Sequence, residues 1–235
     1  MADISELDSS AAPVPFRVER ADLSVQVTFG GHLWALFHNV PDLYSALLNE
    51  LGDVGITVNG IKSDVGDGSL GAYNVNFWLL GFRALVRVRL ERVEIQVNNL
   101  TRQDLDQLEG AVIKLIRALS KADPKSVIAS YTIDLGLHGS LVGTDPKGHL
   151  GRFLRAAPNS STPLIGCGVV FYLGADDIAT VRSVTADLSG VLPGNLYVRL
   201  FSVYSNSVQP SGLRQVIDKD ARDALALLGL AAEAS

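Results

Sequence analysis

The sequence predicts an α+β fold in which mainly antiparallel sheet is covered by helices. Three observations predict it: segments of alternating apolar and polar residues, amphipathic helical segments, and a similar order of both before and after residue 124. We expect a polar leader at 1–15, then one compact unit (16–235) made of two β-α-β-β-β-α halves, 16–122 and 126–232. The repeated order fits an internal duplication, or a coincidence among the few orders open to an α+β chain.

The first half begins with a strand, and a helix follows it. Residues 16–29 alternate between apolar and polar side chains toward their end, which is typical of a half-buried strand. Asn39 and Pro41 are typical of a helix start, and a stripe of leucines then runs to Gly52. The segment Gly55–Ile61 is predicted to be a short strand, and a strand-like run at 73–80 follows the glycine-rich loop at 64–71.

The next segment changes the phase of its alternation. Apolar residues are even-numbered from Phe82 to Leu90 and odd-numbered from Val93 to Val97. Because side chains alternate with a period of two along a strand, the change requires a bulge or a strand that changes which face meets the core. We favour one long strand with a bulge near Glu91 and Arg92. The arginines on this strand are expected to find carboxylate partners on a neighbouring strand.

A long helix closes the first half, and the second half repeats the order of elements. Thr101, with Asp104 three residues later, resembles a capping box, and the apolar positions from Leu105 to Leu119 lie on one helical stripe. In the second half we expect strands at 126–141, 164–173, 180–189 and 196–205, a short helix at 149–156 and a helix at 219–230.

Composition limits the classes of partner. The 235 residues carry a net charge of -5 and show no basic cluster of the kind that nucleic acids require. The uncharged run Gly68–Phe82 is shorter and more polar than a membrane span. One cysteine, Cys167, allows no internal disulfide. We therefore expect a cytoplasmic protein with neither a nucleic-acid nor a membrane partner.

No residue pattern predicts catalysis or metal binding. The four histidines lack any spacing that would place two ligands on one helix face. Ser140 lacks the flanking glycines of a nucleophile elbow, and no charge lies near Cys167 to lower the pKa of its thiol. We expect no catalytic residue, no metal and no cofactor.

Two groups of residues are candidates for binding. The first is a concentration of aromatic residues next to glycines and predicted turns, and such residues often anchor interfaces, although they also pack in cores. The second is a short basic stretch with two glycines, which could contact an anion or be an ordinary solvated loop. The candidates are Trp34, Phe37, Tyr73 and Trp78 in the first group, and Lys147, Arg152 and Arg155 in the second.

These candidates favour a non-enzymatic protein that binds or assembles through protein–protein contacts, with a protein partner or with itself. The alternative is an enzyme or carrier, thioesterase-like, that holds a small apolar or acyl ligand between sheet and helices. His38 and Asp42, at the predicted start of the first helix, are the candidate residues for that alternative.

Overall fold

The computed structural model describes residues 12–34, 38–64, 72–153, 168–174, 179–205 and 210–233. The fold is α+β, with a large antiparallel sheet and four α-helices in these residues. The strands are β1 (Val14–Phe29), β2 (Lys62–Asp64), β3 (Asn74–Leu79), β4 (Ala84–Arg89), β5 (Arg92–Val97), β6 (Ile128–Leu141), β7 (Val169–Leu173), β8 (Ala179–Leu188), β9 (Leu196–Ser205) and β10 (Leu230–Ala232). The helices are α1 (Val40–Leu51), α2 (Arg102–Ala122), α3 (Pro146–Gly151) and α4 (Leu213–Leu227).

The strands form one sheet in the order β2-β3-β4-β5-β1-β6-β9-β8-β7, and β10 adds to β1 in parallel. The long antiparallel pair of β1 and β6 lies at the centre, with Leu23 opposite Leu135. Outward from β1 come β5, β4 and β3, and outward from β6 come β9, β8 and β7. The sheet is therefore organised around its two longest strands.

The two faces of the sheet differ in polarity. One face, here called the core face, carries buried apolar side chains that join the helices in one hydrophobic cluster, among them Val25, Ile95, Ile133 and Leu200. Removal of this apolar surface from water is the main stabilising contribution to the fold. The other face, here called the open face, carries the alternate residues of the same strands, among them Gln26, Glu94, Thr132 and Arg199, which are half-buried or exposed.

Helix α2 begins as the sequence predicts. The Thr101 side chain accepts a hydrogen bond from the Asp104 backbone, and the Asp104 carboxylate accepts one from the Thr101 backbone at 2.8 Å. This capping box satisfies backbone donors that would otherwise lack partners at the start of the helix. Arg83 also donates to Asp104, so the helix start is tied to the turn between β3 and β4.

The prediction of one bulged strand over residues 82–97 is wrong. The segment is a hairpin in which β4 and β5 pair, with Val88 opposite Val93. The turn lacks a glycine or asparagine, and the adjoining chain holds it instead: the carbonyl of Leu90 accepts from Leu33 and that of Glu91 accepts from Phe29, at 2.6 and 2.9 Å. A hairpin explains the change of phase because the return strand has its own register.

One further element differs from expectation, and a predicted ion-pair partner is found. The segment Gly55–Ile61, predicted as a strand, contains a 3-10 turn at Val58–Gly60, and the strand β2 begins after it at Lys62. The predicted carboxylate partner of the arginines exists: Glu94 on β5 lies within 4 Å of both Arg87 and Arg89, at 3.4 and 3.7 Å. In the described ranges, none of the helices has the length and apolar character needed to cross a membrane.

Candidate ligand site on the open face

A hollow of about 530 Å³ lies at the centre of the open face. It lies over β6 at Gly136, where the absence of a side chain lets the Tyr197 ring approach the backbone, and both residues line the hollow. A Cβ atom at position 136 would lie 3.1 Å from Tyr197 Cε2. The polar side chains of five strands surround the hollow: Asp22, Ser24, Gln96, Asn98, Asp134, His138, Thr185, Tyr197 and Arg199.

His138 is the most buried titratable side chain of this hollow. It lies on β6 opposite Tyr197 of β9, and the two rings stack with centroids 4.6 Å apart. Only 6% of His138 is exposed. Burial lowers the pKa of His138, and the nearby Arg20 guanidinium lowers it further against the opposite effect of Asp22. The imidazole is therefore neutral near neutral pH.

Ser189 fixes the orientation of this imidazole. Its hydroxyl oxygen accepts hydrogen bonds from the backbone N–H groups of Val191 and Leu192, at 3.2 and 2.9 Å, and lies 2.8 Å from His138 Nδ1. A hydroxyl group has two lone pairs and one proton, so Ser189 donates its proton to Nδ1. The proton of the neutral imidazole then resides on Nε2.

The Nε2–H group of His138 faces a carboxylate. Asp22 Oδ2 lies 3.8 Å from Nε2, which is longer than a hydrogen bond. Asp22 is fixed by other contacts: Arg20 donates to it from Nε at 2.9 Å, and the backbone N–H of Asn99 donates at 2.8 Å. The Nε2–H donor of His138 and the carboxylate acceptor of Asp22 are thus held 3.8 Å apart.

The charges around the hollow balance. Arg199 donates two hydrogen bonds to Asp134, at 2.8 and 2.6 Å, and Arg20 pairs with Asp22. Two guanidinium groups therefore face two carboxylates, and His138 adds no charge in its neutral form. The hollow therefore offers hydrogen-bond donors and acceptors, but these groups have no net charge that would attract an ion.

The Asp22, His138 and Ser189 arrangement does not make Ser189 an activated nucleophile. Ser189 is 9% exposed, and both acceptor positions of its oxygen are used by backbone N–H groups. Nucleophilic attack requires an oxygen lone pair that can reach a substrate. The serine instead holds the imidazole, and the Nε2–H group is the part of His138 that can contact a ligand.

The aromatic binding candidates lie apart from this hollow. Trp34 is in a turn and 47% exposed, Tyr73 is half-buried just before β3, and Trp78 on β3 is 41% exposed. Trp78 lines a separate pocket with Lys62 and residues of the neighbouring turns. Phe37 lies outside the described residues. None of Trp34, Tyr73 and Trp78 lines the hollow.

Two of the basic candidates, Lys147 and Arg152, lie on α3 and directly after it. Lys147 is exposed on α3, and Arg155 lies outside the described residues. Arg152 donates to the backbone carbonyls of His149 and Leu228, at 3.3 and 3.2 Å, and so joins α3 to the end of α4. This arginine connects two elements of the fold.

The two candidates of the alternative prediction, His38 and Asp42, lie at the start of α1. The Asp42 carboxylate accepts a hydrogen bond from the Asn39 side chain. The imidazole of His38 is exposed and near the Trp34 ring, with centroids 6.1 Å apart. Between the sheet and the helices, where that alternative places a ligand, buried side chains such as Leu47 and Leu115 pack.

Sequence reasoning missed the residues that form the hollow. Asp22, His138 and Ser189 belong to distant parts of the chain, and only the pairing of β1, β6 and β9 brings them together. Gly136, placed among alternating residues of a predicted strand, was the signal available in the sequence, because an interior glycine often marks a close approach. Within the described ranges, no group of three histidine, cysteine or acidic residues could hold a metal ion.

Comparison with known proteins assigns no family to this chain. No protein-family model matches the chain, and no curated protein sequence matches it. Among solved structures, the chain is similar to the rolling circle replication initiator protein from Geobacillus stearothermophilus. The sequence identity is 10%, the alignment covers 87% of this chain and 80% of that chain, and the TM-score is 0.34.

This similarity contradicts the prediction of a non-enzymatic protein that acts through protein–protein contacts, because the similar protein is a replication initiator. That prediction is therefore wrong and is not retained, and neither is its acyl-ligand alternative. With so low an identity and TM-score, the similarity assigns no activity to this chain. The predicted partners and the predicted lack of enzymatic activity stay predictions.

Proposed function

We propose that this protein binds a small, uncharged molecule that carries hydroxyl groups, such as a sugar, in the hollow above Gly136. The observation that carries the proposal is the 3.8 Å gap between His138 Nε2 and Asp22 Oδ2. A hydroxyl oxygen placed beside these two atoms, within hydrogen-bond distance of both, can accept a hydrogen bond from Nε2–H and donate one to the carboxylate. A ligand group that can only donate would bind the Asp22 carboxylate alone, and one that can only accept would bind the His138 Nε2–H group alone.

The rest of the hollow supports the same class of ligand. Gln96 and Asn98 are exposed side chains that both donate and accept, and Thr185 adds a hydroxyl group. The balanced pairs of Arg20 with Asp22 and Arg199 with Asp134 leave no excess charge to attract an ion. Tyr197 provides an apolar ring beside the polar groups, as small-molecule sites commonly do.

We also propose that the chain contains two copies of one β-α-β-β-β-α unit and that helices cover the core face of the sheet. The strand order supports a duplication, since β5, β4 and β3 follow β1 outward as β9, β8 and β7 follow β6. A superposition of residues 16–122 on 126–232 should then match β1 with β6 and α2 with α4. A match that pairs other strands would contradict the duplication. The single cysteine supports a cytoplasmic location.

The test of the proposed function is an NMR titration of the isotope-labelled protein with a panel of neutral methyl hexosides. We expect at least one hexoside to shift the backbone amide signals of Asp22, Gln96, Gly136 and Tyr197 in a saturable way. The matched hexose phosphates are the comparison, and they should bind no better because the hollow has no excess positive charge.

Two results would overturn the proposal. The first is a panel in which no neutral sugar perturbs these amides at saturating concentration. The second is a shift of these same amides by the hexose phosphates alone, because that preference requires a net positive charge at the hollow. A sugar that shifts only amides on the helices would also contradict the placement of the site on the open face.

A further inference from the structure

A second pocket, of about 380 Å³, lies at the far end of the open face from β7. Its lining combines two exposed aromatic rings, a lysine and several side chains that can form hydrogen bonds: Thr57, Asn59, Lys62, Asn76, Trp78 and Phe82. Trp78 is 41% exposed and Phe82 is 77% exposed. Large apolar rings that stay in contact with water next to a pocket are available to a ligand.

The turn between β3 and β4 holds Phe82 in its exposed position. Leu80, Gly81 and Phe82 have φ angles of 54°, 64° and 70°, a left-handed conformation that leucine and phenylalanine rarely adopt. Both sides of the turn are anchored: Leu80 is buried, and Arg83 donates to Asp104 at the start of α2. Strained residues of this kind persist where the surrounding structure fixes them, and they concentrate at ligand sites.

The lysine gives the pocket a positive charge. Lys62 lies on β2 opposite Asn76, and it forms no ion pair with any residue that the structure describes. On the other side of Asn76 is Arg87, whose Nε donates to the Asn76 side chain at 3.2 Å. Arg87, Arg89 and Arg92 share the single carboxylate of Glu94, so this end of the open face has an excess of positive charge.

We propose that this pocket binds a nucleoside monophosphate, with the base against Trp78 and Phe82 and the phosphate at Lys62. Every base has a flat ring that can stack on an aromatic side chain, and a phosphate is the anion that a lysine binds as a point charge. The Asn59 and Asn76 side chains can contact the base or the ribose through hydrogen bonds. This site is separate from the hollow at His138, so the two proposals succeed or fail independently.

The spacing of the two anchors suits a nucleotide. Lys62 is directly opposite Asn76, and Trp78 follows Asn76 two residues along β3 on the same face. Diagonal neighbours of this kind are about 7–8 Å apart in an antiparallel pair. The lysine side chain is long and can adjust this span, which is comparable to the separation of base and phosphate in a nucleoside monophosphate.

The two tryptophans allow a direct test by fluorescence. In the Trp34→Phe protein, Trp78 is the sole tryptophan and reports on its own pocket. We expect AMP to quench its fluorescence in a saturable way, and adenosine to bind more weakly by about tenfold or more, since it lacks the phosphate. Inorganic phosphate should cause no saturable quenching because it has no ring to stack on the indole.

Two variants in the Trp34→Phe background separate the contribution of the phosphate contact from that of the aromatic ring, and a third variant is the control. Lys62→Ala should bring the affinities for AMP and adenosine to within about twofold of each other, since only the phosphate contact is lost. Phe82→Ala should weaken both ligands, and Lys219→Ala, which changes an exposed lysine of α4, should weaken neither. The proposal is overturned if AMP causes no saturable quenching, if Lys62→Ala leaves the preference for AMP unchanged, or if inorganic phosphate quenches as AMP does.

Discussion

The Nδ1 atom of His138 lies 2.8 Å from the hydroxyl oxygen of Ser189, a residue 51 positions later in the chain. The same oxygen accepts from two backbone N–H groups of the loop that follows β8. Ser189 thus sets the tautomer of a buried histidine and also holds the loop after β8 through two hydrogen bonds from its backbone. The orientation of the Nε2–H group toward Asp22, on which the proposed ligand site depends, follows from this contact.

Replacement of Ser189 by alanine tests the contact. Ser189→Ala leaves a buried imidazole nitrogen and two backbone N–H groups without their partner, so we expect the free energy of unfolding to fall by about 1–3 kcal/mol. Urea denaturation measures the loss, and nitrogen chemical shifts of the imidazole report the tautomer. Ser183→Ala, on the open face of β8, is the control and should change stability by less than about 0.5 kcal/mol. Equal losses in the two variants would contradict the assigned role.

The two buried histidines predict a loss of stability in acid. The pKa values of His138 and His149 are lowered mainly by burial, and the Arg152 guanidinium lowers that of His149 further. As the pH falls below the ordinary pKa of histidine, the unfolded chain binds protons first, so the free energy of unfolding decreases by at most about 1.4 kcal/mol per pH unit for each group. Unfolding by urea at about pH 7 and about pH 5.5 measures this change.

A matched pair of double variants isolates the histidine contribution. His138→Gln combined with His149→Gln should reduce the loss of stability between these two pH values. The control combines His32→Gln with His38→Gln, two exposed positions, and should keep the full loss. Asp220, whose pKa is raised mainly by burial, titrates in the opposite direction but is present in every variant. A loss that is the same in all three proteins would exclude the buried histidines as its cause.

A buried ion pair beneath β8 predicts different costs for two neighbouring carboxylates. Arg182 lies 2.8 Å from Asp220, which is 2% exposed, and 3.5 Å from Asp223, whose side chain is 48% exposed. Asp220→Ala removes the nearer carboxylate from a buried arginine and should lower the free energy of unfolding by about 3–5 kcal/mol. Asp223→Ala should cost about 0–1 kcal/mol, because water screens the exposed pair. If chemical denaturation shows similar losses in the free energy of unfolding for the two variants, the assignment of Asp220 as the more important partner is wrong.

Two glycines predict opposite effects of the same substitution. A Cβ atom at Gly139 of β6 would lie 2.3 Å from the Arg17 carbonyl oxygen, whereas one at Gly110 of α2 would meet no heavy atom within 4 Å. Gly139→Ala should force β1 and β6 apart and destabilise the protein by about 1–3 kcal/mol. Gly110→Ala should stabilise it by about 0.5–1 kcal/mol, because alanine has the better helix propensity. Thermal unfolding measures both effects, and a tolerated Gly139→Ala would contradict the central strand pairing.

The local elements of the fold could be predicted from the sequence where chain neighbours determine them. The alternation in β1 and the capping box of α2 depend on residues a few positions apart, and both were predicted. The hairpin of β4 and β5 was missed because its turn is held by backbone contacts with Phe29 and Leu33 rather than by a glycine. Patterns within one segment do not reveal such contacts.

The candidate site could not be predicted for a related reason. His138 and Tyr197 become neighbours through the register of β6 and β9, and Ser189 reaches the histidine from a loop beyond β8. The sequence has no feature that sets this register in advance, since a shift by two residues would keep the same apolar face. Trp78 was a binding candidate because aromatic residues near predicted turns are visible in the sequence alone, whereas its exposure is known only from the structure.

The most direct test of the account compares the affinity of a neutral methyl hexoside for three proteins. Calorimetry should give a dissociation constant for the unmodified protein that rises by about tenfold in Gln96→Ala, which removes a hydrogen-bonding side chain from the hollow. Gln103→Ala, an exposed glutamine of α2, should leave the constant unchanged. A hexoside that binds all three proteins equally, or binds none of them, would contradict a ligand site on the open face.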